Sequence, residues 1–229
     1  MTRYLTREEM ENKIFLGKAT EVVDQFHKGT VDVVISSVPS EVGALSVVPS
    51  VLVKLESVLK QDGTIWIEVE DRYYDGISVG VPYRIVDEVL GYGLYDLISS
   101  QFLYYKRPIK NNCAVTCSNL YGRFLLGFCK QDQYENTAYY SISKSKREIE
   151  TLSWGKRNHK GKWDFSSMNR AYAETLVWDT TRVGDLVLDP FCGVGVVLRA
   201  AKESNRIYTG IDAVPQAIKM AEELLNESG

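Results

Sequence analysis

The sequence is poor in the residues that build metal centres and covalent staples: it holds two histidines and four cysteines in 229 residues. Two histidines exclude a His-rich metal site. Four cysteines are too few for a disulfide framework at this length. Cys113 and Cys117 stand at C-x3-C spacing with no second Cys/His pair, so buried reduced thiols are favoured over a zinc site. Long apolar runs are also missing, and none reaches the roughly 20 residues of a membrane span. The polar opening Met1-Thr-Arg-Tyr-Leu-Thr-Arg-Glu-Glu9 does not read as a signal peptide, so a cytoplasmic protein is expected. There is no internal repeat and no low-complexity tract. What remains is ordinary globular composition, 45% hydrophobic and 25% charged, which excludes disorder and collagen-like chains.

The net charge of -3 is unevenly placed. Residues 104–162 hold twelve Lys and Arg against four acids, a local charge of +8, which leaves -11 on the rest. Such asymmetry points to a face for a polyanion. Tyr104, Tyr105, Tyr121, Tyr139, Tyr140, Trp154 and Trp163 are interleaved with the bases and offer stacking surface. The plain alternative is a solvated basic loop. Lys144, Lys146, Arg147, Lys156, Arg157, Lys160 and Lys162 are the candidate nucleic-acid contacts. His159 sits among them and is expected to face phosphate or solvent. His27, beside Lys28-Gly29, reads as a helix-end residue.

Hydrophobic periodicity predicts alternating strands and helices. Strands are expected at 14–16, 31–37, 64–69, 94–104, 124–129, 185–189 and 206–211. Helices are expected at 19–27, 46–60, 81–90, 168–181, 195–203 and 214–226, with Gln61-Asp62-Gly63 as a stop and Pro215 in a first turn. Residues 131–165 are polar, basic and without period. This α/β alternation implies a mostly parallel sheet with helices on both faces. One domain spanning 1–229 is expected, with 131–165 as a loop or small subdomain.

The strongest motif is Asp189-Pro190-Phe191-Cys192-Gly193-Val194-Gly195, between a predicted strand and a predicted helix. Gly193 and Gly195 permit a tight turn and a close backbone approach to a ligand. Asp212 follows 23 residues after Asp189, at the end of the next strand, where an acid can accept both ribose hydroxyls of a nucleoside cofactor. No third glycine serves a dinucleotide pyrophosphate, and an acid at position 189 would repel one. A cationic amino-acid moiety suits it, which favours S-adenosylmethionine over NAD. Taken alone, these residues leave a cofactor site and a purely structural glycine turn both open.

Together with Gly184-Asp185-Leu-Val-Leu before it and Tyr208-Thr-Gly-Ile-Asp212 after it, this motif resembles the cofactor segment of amino-directed DNA methyltransferases. That family methylates N6 of adenine or N4 of cytosine. Leu59-Lys-Gln-Asp-Gly-Thr64 and Leu120-Tyr-Gly-Arg-Phe-Leu-Leu-Gly-Phe-Cys-Lys130 extend the resemblance along the chain in the permuted (β-type) order, catalytic segment first. It implies a Rossmann-like methyltransferase fold with one antiparallel strand. It also implies S-adenosylmethionine held by Asp189, Phe191, Gly193, Gly195 and Asp212, and a pocket-closing helix near 168–183. The expected polymer is DNA, with RNA the alternative. A small recognition region implies a homodimer, or a heterodimer with a methyltransferase-like subunit.

The family's catalytic segment, (Asp/Asn/Ser)-Pro-Pro-(Tyr/Phe/Trp), is matched here by Ser37-Val38-Pro39-Ser40. The resemblance gives Ser37, Pro39 and Ser40 the catalytic positions. Val38 stands in place of the first proline, and Ser40 in place of the base-stacking aromatic, a loss of about 1–3 kcal/mol of stacking. Tyr73 or Tyr74 is the candidate substitute. Gly17-Lys18 replaces the Gly-Asp pair that reaches the cofactor adenine, and the closing helix lacks the family's Lys-Pro. Two functions follow: a DNA methyltransferase of the restriction-modification kind with a divergent catalytic segment, or a catalytically inactive subunit that binds DNA or a catalytic partner.

Overall fold

The computed structural model describes residues 3–38, 44–75, 77–106, 120–142, 168 and 170–227. In chain order the elements are α1 (Arg7–Met10), β1 (Lys13–Leu16), α2 (Ala19–Val22), β2 (Val31–Ser37), α3 (Ala44–Val58) and β3 (Leu59–Glu70). Then come β4 (Tyr73–Tyr74), β5 (Ile77–Ser78), α4 (Val81–Gly91), β6 (Tyr95–Lys106) and β7 (Leu120–Lys130). Last are α5 (Arg170–Thr180), β8 (Leu186–Asp189), α6 (Val196–Glu203), β9 (Ile207–Asp212) and α7 (Pro215–Asn226).

Seven strands form one sheet in the order β1-β9-β8-β2-β3-β7-β6. All neighbours are parallel except that β7 runs against both β3 and β6. The expected sheet, mostly parallel with one antiparallel strand, is the sheet observed. Alternation along β2 divides its side chains between two cores: Val31 and Val34 join one, Val33 and Ile35 the other. The first core takes residues of α2, α3 and α4, and the second those of α5, α6 and α7. Helices therefore cover both faces.

Several expected boundaries move by a few residues, as where the helix expected over 46–60 ends at Val58, and two of the shifts change the local structure. The helix predicted over 19–27 ends at Val22 and tightens into a 3-10 turn at Val23–Gln25, which puts Phe26 into the core at 2% exposure. Gln61-Asp62-Gly63 does not stand outside the strand. It forms a bulge within β3, where Val31 pairs with Leu59 but Val33 already pairs with Thr64.

The lower end of the sheet is fastened by Asp32. Its Oδ2 accepts from Arg7 Nη1 at 2.7 Å and from the Leu186 N–H at 2.7 Å, and its Oδ1 accepts from Lys60. One carboxylate thus ties β2 to β8, to β3 and to α1. Burial alone would raise its pKa, but the Leu186 N–H, Lys60 and Arg7 outweigh burial and hold it below the usual carboxylate range. A depressed folded pKa supplies stability above the unfolded value that disappears as pH falls through the folded one. Asp32→Ala is therefore expected to cost about 2–3 kcal/mol at neutral pH, with the deficit shrinking in acid. Urea unfolding of both proteins across pH checks this.

Candidate active site

Parallel pairing of β8 with β2 brings together the ends of two segments far apart in sequence. From β8 the chain crosses to β9 on one side, and from β2 to β3 on the other, so the sheet reverses its winding between them. Ligand sites of open α/β sheets form at such a crevice, beyond the carboxyl ends of the strands. A cavity of about 890 Å³ opens there, within the range of roughly 300–1,000 Å³ usual for ligand pockets. Ser37, Asp189, Phe191, Gly193 and Asp212, all singled out in the sequence, line it.

Asp189 ends β8 and is 2% exposed. Its Oδ1 accepts from Ser36 Oγ at 2.6 Å and from the Phe191 N–H at 3.1 Å. Among the described residues, Oδ2 receives no hydrogen bond. Burial pushes the carboxyl up to about 7, and Asp212 adds to the rise, while the Ser36 and Phe191 bonds oppose it. An acid poised in this way ionises readily when a cation arrives.

Asp212 ends β9. Its Oδ2 accepts the Gly193 N–H at 2.9 Å and its Oδ1 the Val214 N–H at 2.8 Å. Each oxygen keeps a further lone pair for a ligand hydroxyl. The loop between Asp189 and α6 is pinned by Cys192 N–H to Ile211 O at 2.9 Å and Gly195 N–H to Cys192 O at 2.8 Å. Gly195 does not line the cavity. It sits at φ 84° as the N-cap of α6, and a Cβ there would meet Ala221 Cβ at 2.9 Å. Gly193, at φ 51°, has open space where a side chain would be, so its turn leaves the cavity mouth clear.

On the other wall, Gly17, Lys18 and Thr20 follow β1. The Lys18 ammonium pairs with Glu21 at 3.3 Å and its side chain is 73% exposed. Met168, just before α5, lines the cavity too, where the closing helix was expected. Pro39 and Ser40 lie outside the described residues, as do Lys144, Lys146, Arg147, Lys156, Arg157, Lys160 and Lys162. The backbone of Tyr73–Tyr74 forms a hairpin with Ile77–Ser78 just past β3, at the cavity end of the sheet.

The family model for N6/N4 methyltransferases, described as DNA methylase, matches residues 40–223. The chain belongs to the DNA methylase family. It is 22% identical to the Type II methyltransferase M.XycI of Xanthomonas campestris pv. cyanopsidis, covering 93% of this chain and 87% of that protein. The cytosine-N4-specific PvuII DNA methyltransferase shares the fold with a TM-score of 0.74 at 14% identity, over 100% of this chain and 89% of that one. So does the Thermus thermophilus protein TTHA0409, solved with S-adenosyl-L-methionine, at TM-score 0.69 and 22% identity over 93% and 92%.

Three residues in or beside this candidate site are not picked out by sequence motif: Ser36, Glu68 and Arg123. Glu68 carries the one available signal, an acid inside the apolar run Ile65-Trp-Ile-Glu-Val69, because a buried charge demands a partner. That partner is Arg123 on β7, with Nη1 3.2 Å from Glu68 Oε1. Ser36 gives no signal, since a small hydroxyl in a strand is unremarkable until the strand beside it is known.

The carboxyl of Asp189 titrates higher folded than unfolded, so the folded state binds the extra proton and loses stability as pH rises from about 4 to 7. Asp189→Asn is accordingly expected to be more stable than the wild type at about pH 8 and no more stable at about pH 4, as read by urea unfolding. Ser36→Ala removes a bond that favours the ionised form. Carbon-13 NMR of the Asp189 carboxyl is expected to show its titration moving upward.

Proposed function

We propose that this chain is an S-adenosylmethionine-dependent DNA methyltransferase acting on an exocyclic amino group of adenine or cytosine. The observation that carries the reading is the cavity that unites Ser37, from the catalytic segment, with Asp189, Gly193 and Asp212, from the cofactor segment. The family match and the methyltransferase names of its relatives favour this over an inactive subunit.

The residues present fit the cofactor. Asp189 Oδ2 is an unclaimed acceptor for an ammonium group, the Asp212 oxygens can receive ribose hydroxyls, and the apolar Phe191 ring gives a nucleobase a surface. When bound, S-adenosylmethionine supplies an electrophilic methyl group on a sulfonium. Ser37 Oγ accepts a hydrogen bond from the target amino N–H and so turns the nitrogen lone pair toward that methyl. Positioning supplies most of the rate, and no covalent bond to the protein forms. The nitrogen would take the methyl as the sulfonium S–C bond breaks, leaving a neutral thioether, and would then give up a proton to solvent, so no histidine is required as a base.

The basic 131–165 segment is the proposed DNA-facing part of one methyltransferase domain, and pairing with a second methyltransferase subunit extends the recognised sequence. Base stacking is assigned to Tyr73 or Tyr74. Purified protein is expected to transfer tritiated methyl from S-adenosylmethionine to duplex DNA, and Asp189→Ala to lower that transfer at least about 100-fold. Failure of the wild type to methylate any mixed-sequence DNA would sink the reading. Binding should weaken steeply with salt if DNA is held by the basic segment.

A further inference from the structure

Three neighbouring strands meet at the Ser37 side of the cavity. Ser37 on β2 stands opposite Glu68 on β3, and Arg123 on β7 stands opposite Glu70 of β3. The Arg123 guanidinium reaches across all three. Its Nη1 lies 3.2 Å from Glu68 Oε1 and 3.4 Å from Ser37 Oγ, and its Nη2 lies 3.6 Å from Glu70 Oε2. Glu68 is 1% exposed and Arg123 13%, and Arg123 lines the same cavity as Ser37 and Asp189.

We propose that Arg123 is a positioning residue for methyl transfer, held by Glu68 and Glu70 so that it fixes the Ser37 hydroxyl against the target amino group. A guanidinium has donors only, so the bond runs from Arg123 to Ser37 and uses one Ser37 lone pair. The torsion that places Oγ at the cavity wall is thereby fixed. A serine needs such a partner because a neutral hydroxyl rotates freely. The need is greater here, since Val38 does not impose the fixed φ of a proline. The same acid-bearing residue holds the segment a second time, as the Val38 N–H donates to Glu68 O at 2.9 Å. Two carboxylates against one guanidinium leave the cluster with a net negative charge, so a nitrogen that becomes cationic on methylation is not repelled.

This inference rests on the methyltransferase reading. The test measures kcat and KM for S-adenosylmethionine with tritiated cofactor, the full chain and duplex DNA. Arg123→Lys keeps the charge but loses the fork, and kcat is expected to fall about 10- to 100-fold with KM for S-adenosylmethionine within about twofold. Arg123→Gln with Glu68→Gln leaves no buried unpaired charge, and is expected to show the same loss of kcat with an unchanged melting temperature. In a Ser37→Ala background, Arg123→Lys is expected to cost nothing further. A kcat within about twofold of wild type in both Arg123 proteins, or an equal loss with and without Ser37, overturns the proposal while leaving the methyltransferase reading intact. A wild-type chain that transfers no methyl overturns both.

Discussion

One hydrogen bond, from Ser36 Oγ to Asp189 Oδ1 at 2.6 Å, joins the two halves of the site. The two residues are 153 positions apart, and they meet only because β8 lies beside β2. Everything assigned to the cavity depends on that adjacency. The residues proposed for the cofactor stand at the ends of β8 and β9, and those proposed for the methyl acceptor on β2, with β3 and β7 beside it. Asp32 repeats the arrangement at the other end of the same strands, tying β2 to β8 and β3 through charges already neutralised. The sheet is thus held by a fully engaged carboxylate at its base and one with a single engaged oxygen at its mouth.

That difference is the functional point. Asp32 is surrounded by donors and its ionised form is favoured, whereas Asp189 is buried with one oxygen unclaimed and its ionised form is disfavoured. A fold optimised for stability alone would not bury an acid in this way. The destabilisation is recovered when a cation enters, because the ion pair then forms in surroundings where water competes little. The glycines beside it serve the same end. Gly193 leaves the mouth open, and Gly195 lets α6 start against α7 without a Cβ collision.

Much of this was legible in the sequence, for physical reasons that can be named. Asp189-Pro-Phe-Cys-Gly-Val-Gly195 is read by its glycines and its strand-helix setting, both local. The sheet's composition follows from apolar runs such as Val33–Ile35 and Leu186–Leu188, which only a doubly covered strand tolerates. Local pattern failed where neighbours decide. Val23–Gln25 tightens because Phe26 is drawn into the core, and Gln61–Gly63 bulges within β3 because its register to β2 shifts there. Ser36 and Arg123 could not be picked out, since their roles depend on strands adjacent in space and distant along the chain. The Ser37–Ser40 segment shows the limit on the other side: a motif can be aligned residue by residue, yet the group that steadies Ser37 sits on β7.

The poised carboxyl of Asp189 is the proposed anchor for the cofactor's cationic group. Calorimetric titration of the protein with S-adenosylmethionine near pH 7, in buffers of different ionisation enthalpy, tests it most directly. Binding is expected to release a fraction of a proton per site, because a carboxyl pushed up to about 7 is partly protonated there and must ionise to pair. The release is expected to vanish, and the affinity to drop, in Asp189→Asn. Binding of equal strength in both proteins, or binding without proton release by the wild type, would contradict this assignment.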